Sequence, residues 1–248
     1  VTLISASTVS GAPRSVAYTK SISGAGGVTV TGTSTSVGFT SLSGSNNYQG
    51  GTTINSGTLI AANATGTSAT GSGAVSVNSS GTLSGTGFIN AGTNDVSING
   101  GGNITGGNNG AVATTGAVGA LTLTAANVLF SGTAGNLATY IVDLTSTTSD
   151  KLTINGNLNL STTFDQLLFQ GITGAASYTI ATYTGSLTGT FDIANTPTGY
   201  FVNYANPNVI SLDMTTAPEP STWAAGMLAL CSFGYTQRRR FARLAKRV

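Results

Sequence analysis

The sequence has no histidine and few charged residues. Only 6% of its 248 residues are Asp, Glu, Lys or Arg, against about 25% in typical soluble domains. The missing histidine excludes a histidine-based catalytic triad and a histidine-ligated metal site. Glycoside hydrolysis needs two neighbouring carboxylates, but the aspartates are scattered singly along the chain, and the adjacent Asp150 and Lys151 are typical of a solvated pair. We therefore predict that the protein is not an enzyme and that it uses no metal and no cofactor; the aspartates are Asp95, Asp143, Asp150, Asp165, Asp192 and Asp213.

Other absences narrow the function further. A single cysteine, Cys231, excludes an internal disulfide. Neither a GxxxxGK nor a GxGxxG motif occurs, so the 35 glycines are expected to form turns and not phosphate-binding loops. Before residue 238, three basic residues stand against seven acidic ones, so the net charge of +2 comes entirely from the C-terminal end. This charge distribution predicts no nucleic-acid partner.

The C-terminal residues form a three-part tail. The motif Pro218-Glu219-Pro220 is followed by uncharged, mostly apolar residues 223–235 and then by a basic cluster. Thirteen helical residues cover about 20 Å, less than a hydrocarbon core of about 30 Å, but flanking residues extend them to a weak span. Trp223 would lie at the membrane interface, and the cations would stay on the cytoplasmic side. A short amphipathic or buried helix with a solvated basic end is the alternative; the cluster includes Arg238, Arg239, Arg240 and Arg243.

This tail resembles the PEP-CTERM sorting signal of Gram-negative bacteria. The matching residues are Pro218, Glu219, Pro220, the Ser-Thr-Trp segment ending at Trp223, the apolar stretch and the terminal arginines. The resemblance implies recognition by an exosortase, a membrane-embedded cysteine protease or transpeptidase that cuts near the motif. It also implies a precursor held briefly in the inner membrane, and then a body released to the cell surface or into an exopolysaccharide matrix.

The body contains a repeated short β unit. Asn55, Asn78 and Asn99 each follow an alternating aliphatic segment, at spacings of 23 and 21 residues. Alternation places one set of side chains inward, and Gly, Asn and Ser close each segment. The pattern predicts a parallel β-helix, whose circuits bury their aliphatic residues by stacking and whose asparagines form a ladder or adopt left-handed turns. An antiparallel sandwich or barrel is the alternative.

Residues 42–90 resemble the autotransporter-associated β-strand repeat, on the segments SGSNNYQGGTTINSGTL and GSGAVSVN. That resemblance implies a right-handed parallel β-helix. Too little chain follows for an outer-membrane translocator. We therefore predict an all-β protein, a right-handed parallel β-helix with a C-terminal hydrophobic helix.

The composition changes after residue 125, where aromatic residues become frequent. We predict a β-solenoid over residues 1–125, wider terminal coils or a cap over 126–214, and the sorting tail with its transmembrane helix over 215–248. An export signal is expected for such a protein but is not visible at Val1. We therefore expect this chain to be a fragment or a mature form.

Two functions are compatible with these patterns. The first is an exported structural protein of the cell surface or extracellular matrix, processed by an exosortase and associated with exopolysaccharide. The alternative is an adhesin or carbohydrate-binding β-helix module. In that case exposed aromatic residues would stack on sugar rings, whereas core packing is the simpler interpretation of the same side chains: Tyr178, Tyr183, Tyr200, Phe201 and Tyr204.

Overall fold

The computed structural model describes residues 2–5, 16–32, 39–64, 66–107, 117–160, 163–215 and 228. The described part is all-β, and the chain divides into two compact units, Val1–Met214 and Thr215–Val248. The predicted C-terminal helix falls outside the described residues except for Leu228. Among the described residues, no helix has both the length and the apolar character needed to cross a membrane.

In the described parts of the chain, twenty strands form two sheets. The first sheet contains β1 (Thr2–Ser5), β3 (Val28–Gly32), β5 (Thr52–Ile54), β7 (Val75–Val77), β9 (Phe88–Asn90), β10 (Val96–Asn99), β12 (Ala120–Ser131), β14 (Lys151–Leu160), β16 (Ser177–Tyr183), β17 (Leu187–Gly189), β19 (Tyr200–Asn203) and β20 (Val209–Met214). The second sheet contains β2 (Val16–Tyr18), β4 (Phe39–Leu42), β6 (Gly57–Ala61), β8 (Gly81–Gly85), β11 (Asn103–Thr105), β13 (Ala138–Leu144), β15 (Asp165–Gly171) and β18 (Ile193–Asn195).

The chain passes repeatedly between the two sheets, and all strand pairs among β1 to β18 are parallel. We call one passage through both sheets a circuit. Ile54, Val77 and Ile98 lie in register on β5, β7 and β10, and all three are fully buried. Alternation on these strands places aliphatic side chains inward at the same point of each circuit, which stacks them into one continuous core.

Circuit length increases along the chain. Hydrogen-bonded asparagines in neighbouring circuits are 23 and 21 residues apart at Asn55, Asn78 and Asn99, but 30 apart at Asn127 and Asn157. Strand β12 has twelve residues and pairs with both β9 and β10, which a turn separates. We call residues 16–107 the narrow circuits and residues 117–195 the wide circuits.

The parallel arrangement ends with an antiparallel hairpin. Strand β20 pairs antiparallel with β16, and β19 pairs antiparallel with β20. This hairpin covers the edge of β16, which would otherwise present free backbone groups to another chain. Wider terminal coils or a cap over residues 126–214 remain a prediction, and the hairpin lies at the end of that range.

Some glycines have a role beyond turns. The backbones of neighbouring circuits meet so closely at Gly73 that an added Cβ would clash with the amide nitrogen of Gly51. At Gly50, an added Cβ would lie 2.5 Å from the amide nitrogen of Gly27. Glycine is required at these positions because adjacent circuits stack through direct backbone contact.

Candidate functional site

The predicted sorting signal and basic stop lie outside the described residues. This applies to Pro218, Glu219, Pro220 and Trp223, and to the four arginines Arg238, Arg239, Arg240 and Arg243. The body therefore supplies the geometry described below. It contains two side-chain amide ladders, two acidic pairs of which one is fully buried, a mostly buried aromatic group and a groove.

The first ladder runs along the narrow circuits. The Asn78 side-chain amide donates to Asn55 Oδ1 at 2.8 Å, and the Asn99 amide donates to Asn78 Oδ1 at 2.8 Å. Each side chain therefore donates to one neighbouring circuit while its oxygen is available to the other. None of these asparagines has a positive φ. They therefore form the predicted ladder and do not adopt the left-handed turn conformation.

A second ladder, which the sequence reasoning missed, crosses into the wide circuits. The Asn127 amide donates to Asp95 Oδ1 at 2.8 Å, and the Asn157 amide donates to Asn127 Oδ1 at 3.1 Å. Asn157 Oδ1 then accepts from the backbone N–H of Ser186 at 2.9 Å. Its spacings of 32, 30 and 29 residues are longer than the repeat of 21 to 25 residues that the sequence shows in the narrow circuits, so that repeat does not predict this ladder.

Four of the six aspartates come together in two pairs, which corrects the prediction that they are scattered singly. Asp143 and Asp150 are both fully buried. The Asp143 N–H donates to Asp150 Oδ2 at 3.3 Å, and the Asp150 N–H donates to the Asp143 carbonyl at 2.8 Å. The expected solvated pair of Asp150 and Lys151 is wrong for Asp150, because neighbouring strands and an antiparallel bridge between Leu144 and Ser149 enclose it.

Asp150 is held by donors from three parts of the chain. Its Oδ2 accepts from Thr105 Oγ1 at 2.7 Å, and its Oδ1 accepts from the Gly119 N–H at 2.8 Å. Burial raises the pKa of Asp150 to about 6; these hydrogen bonds oppose the increase, and the charge of Asp143 adds to it. With both oxygens occupied and no exposed surface, this carboxyl group is a structural acid and not one placed to contact a substrate.

The second acidic pair lies between β15 and β18. The Asp192 N–H donates to Asp165 Oδ1 at 2.8 Å, and the Phe164 N–H donates to Asp192 Oδ2 at 2.7 Å. Burial raises the pKa of Asp165 to about 6, the hydrogen bond opposes the increase, and the Asp192 charge adds to it. No group of three or more metal-ligating side chains occurs within the part of the chain that the structure describes.

The aromatic residues considered for sugar stacking are mostly buried. Tyr178 is 2% exposed, and Tyr183 and Tyr200 are also buried, while Tyr204 is partly buried. The Tyr178 and Tyr200 rings pack 6.1 Å apart at 47°. Only Phe201, at 44% exposure, presents an aromatic face. A stacking platform formed by all five residues is therefore wrong, and core packing explains four of them.

One polar groove of about 520 Å³ lies across the wide circuits. Its lining comes from three consecutive circuits, at the entry to β12, the turn before β14 and the start of β16. Sequence spacing does not predict this groove, because only the stacking of circuits brings its lining residues together. The lining residues are Val118, Gly119, Ala120, Thr147, Thr148, Ser149, Lys151, Ser177, Tyr178 and Thr179.

No family model, curated protein or solved structure matches this chain.

Proposed function

We propose that the chain is an exported structural protein of the cell surface or extracellular matrix, whose body is a right-handed parallel β-helix. The parallel pairing of the strands from β1 to β18 supports this proposal. Each circuit buries its aliphatic side chains against its neighbours, so the stability of the stack depends on the contacts between adjacent circuits. Side-chain amide ladders add hydrogen bonds between circuits on the outside of that stack.

The surface of the body fits a structural role outside the cell. Asn, Ser and Thr side chains bond to neighbouring circuits, and the only described cations are Lys20 and Lys151. The acidic side chains Asp143, Asp150 and Asp165 are enclosed in the fold and provide no open catalytic pair. These contacts favour a stable scaffold over a reaction centre.

Delivery is proposed to depend on the tail. In this proposal an exosortase reads Pro218, Glu219 and Pro220, the apolar segment holds the precursor in the inner membrane, and the arginines retain the cytoplasmic end. The body is then released to the surface or into exopolysaccharide. The Pro-Glu-Pro motif in its full context of apolar and basic residues is the single observation that carries this assignment.

Replacing Pro218, Glu219 and Pro220 together with alanine tests the assignment in a bacterium that contains an exosortase. We expect a full-length, membrane-associated precursor in place of the shortened, released product. Immunoblotting of membrane and extracellular fractions distinguishes the two. Pro207→Ala, in a turn of the body, is the matched control and should be processed normally. Unchanged processing of the triple variant would contradict the proposal.

The carbohydrate-binding alternative loses its aromatic platform but keeps one supporting observation. The hydroxyl-lined groove presents hydrogen-bonding groups from three circuits on one surface. This surface is compatible with binding of a polyhydroxylated ligand, and it extends the structural role without replacing it.

A further inference from the structure

The groove of the wide circuits has a distinctive composition. Ser and Thr residues make up half of its lining: Thr147, Thr148, Ser149, Ser177 and Thr179. The Ser149 hydroxyl donates to the Thr179 carbonyl, the Ser177 hydroxyl donates to Asp213, and the Thr148 hydroxyl is bonded to that of Thr145. Each of these three hydroxyl oxygens keeps a lone pair that can accept from a ligand. Its volume of about 520 Å³ lies within the range of small-molecule sites, about 300 to 1,000 Å³. Neighbouring strands are about 4.8 Å apart, so a groove that crosses three circuits suits an extended ligand.

The wall that carries the threonines is held in place before any ligand arrives. The turn between β13 and β14 is closed by the Thr145 N–H, which donates to the Thr148 carbonyl at 2.8 Å. The Thr148 N–H donates in return to Thr145 Oγ1 at 2.9 Å. Tyr178 is buried below, and its hydroxyl donates to the Thr145 carbonyl at 2.9 Å. A preorganised wall reduces the entropy lost when a ligand binds.

Lys151 is the only charged side chain that lines the groove. It is half-buried, and within the described residues no carboxylate forms an ion pair with it. The adjacent Asp150 is engaged by Thr105 and Gly119, and Asp213, beyond Ser177, accepts from Ser177 and Asn203. The ammonium group of Lys151 is therefore available to an anionic group of a ligand.

We propose that this groove binds an acidic polysaccharide, with a uronate carboxylate on Lys151 and sugar hydroxyls on the Ser and Thr side chains. The inference rests on the proposed function, because it requires a body that works outside the cell in contact with polysaccharide. It adds a binding site, a ligand class and the residue that selects for charge.

The same lining disfavours other macromolecules. Binding of single-stranded nucleic acid uses aromatic stacking and a track of cations, whereas this groove has one lysine and a tyrosine that is buried. A protein interface has a hydrophobic core with aromatic anchors, while the one aromatic residue that lines this groove, Tyr178, is buried. Hydroxyls together with a single cation match a polymer that carries both hydroxyl and carboxylate groups.

Binding of the purified full-length protein to three immobilised polymers tests the proposal. Polygalacturonate carries hydroxyls and carboxylates, dextran carries hydroxyls alone, and polyglutamate carries carboxylates alone. We expect retention on polygalacturonate and weak or no retention on the other two. Loss of a charged hydrogen bond should weaken binding of Lys151→Ala about tenfold or more, while Lys151→Arg retains most of it.

Two further variants sharpen the result. Lys20→Ala removes the other described cation, which is exposed and distant in the sequence, and should bind like the wild type. Thr179→Val keeps the size of the side chain but removes a groove hydroxyl, and we expect a several-fold loss. Urea unfolding of each variant shows whether the fold is intact.

Several outcomes would overturn the site. These are equal retention on polyglutamate, equal retention on dextran, no retention of the wild-type protein, or wild-type affinity of a folded Lys151→Ala. None of them touches the sorting proposal, because processing of the precursor is measured separately with the Pro-Glu-Pro variant. Conversely, a failed sorting test with Lys151-dependent binding would leave the groove intact and remove only the delivery route.

Discussion

The narrow and wide circuits use the same parallel stacking but fill it differently. Between 16 and 107 the fully buried side chains are mainly Val, Leu and Ile, with Tyr48 as the large exception. In the wide circuits, Phe130 packs edge-on against Phe191 at 5.4 Å, and Tyr140 lies 6.4 Å from the same ring. Larger interior side chains need a longer perimeter, so the circuit grows from 21–24 residues to about 30.

The difference also determines where polar groups can be enclosed. The narrow circuits bury hydroxyl and amide groups such as Thr52 and Asn46, whereas the wide circuits bury the carboxyl groups of Asp143, Asp150 and Asp165. The groove with Lys151 also belongs to the wide circuits. We infer that the narrow circuits provide repetitive stacking and that the wide circuits provide chemical variety.

The largest expected effect comes from emptying the wide core. Tyr140 is fully buried, and its hydroxyl donates to the Ile180 carbonyl at 2.6 Å. We expect Tyr140→Ala to lower the free energy of unfolding by about 3 to 5 kcal/mol, because it leaves a cavity and an unpaired carbonyl. Urea denaturation measures the change.

Tyr140→Phe separates the two contributions, since it removes only the hydroxyl and should cost about 1 to 2 kcal/mol. Phe201→Ala, on the exposed edge strand β19, is the control for loss of an aromatic ring and should have a small effect. Similar losses for Phe201→Ala and Tyr140→Ala would mean that the wide core does not depend on its aromatic filling.

The second largest expected effect is a pH dependence of the free energy of unfolding that arises in the wide circuits. Burial raises the pKa of Asp150 and Asp165 to about 6, so the folded protein binds these two protons more tightly than the unfolded chain. Their contribution to stability is fully present below about pH 4 and is lost as the pH rises through about 6. The pKa of Asp213 is lowered: burial raises it, but hydrogen bonds from Ser177 and Asn203 outweigh that effect, so Asp213 opposes the trend.

Asp150→Asn tests this dependence, because the amide cannot titrate. We expect the wild-type protein to lose roughly 2 to 3 kcal/mol of unfolding free energy through Asp150 between pH 4 and pH 7, and the variant to lose less. Asp95→Asn, at a partly exposed ladder position, is the control. Parallel pH profiles for the wild type and Asp150→Asn would exclude Asp150 as a source of the dependence.

Sequence spacing predicted the parts of the fold in which one circuit repeats the next. Asn55, Asn78 and Asn99 recur after aliphatic segments, and the structure stacks them as a ladder. The burial of Asp150 was not predictable, because its donors Thr105 and Gly119 are distant in the sequence and arrive through circuit stacking. The groove was missed for the same reason, since it depends on which turns coincide.

The third expected effect is the loss of stability when a side chain is added where backbones of neighbouring narrow circuits touch. A Cβ at Gly73 would clash with the Gly51 amide nitrogen and would lie 2.5 Å from the Gln49 carbonyl oxygen. Rigid backbone on both sides leaves little room to adjust, so we expect Gly73→Ala to cost about 1 to 3 kcal/mol. Gly26→Ala is the matched control, because nothing lies within 4 Å of its Cβ position and its φ is not positive. Thermal unfolding of both variants measures the difference, and equal stability would contradict direct backbone stacking.

The smallest expected effect is the stability cost of removing one ladder side chain, and it can be compared between the two ladders. Asn78 exchanges one hydrogen bond with each neighbour, whereas Asn157 donates to Asn127 Oδ1 and the Ala126 carbonyl and accepts from the Ser186 N–H. Because Asn157 also satisfies backbone groups, we expect Asn157→Ala to cost about 1 to 2 kcal/mol and Asn78→Ala about 0.5 to 1 kcal/mol.

Urea denaturation of both variants and of the double variant measures these costs and their coupling. The two sites belong to different ladders and share no partner, so their costs should add. Strong coupling would show that the two ladders are linked energetically through the circuits between them. Additive costs with unchanged denaturant slopes would instead show that each ladder stabilises only its own circuits, as expected when every circuit contacts only its neighbours.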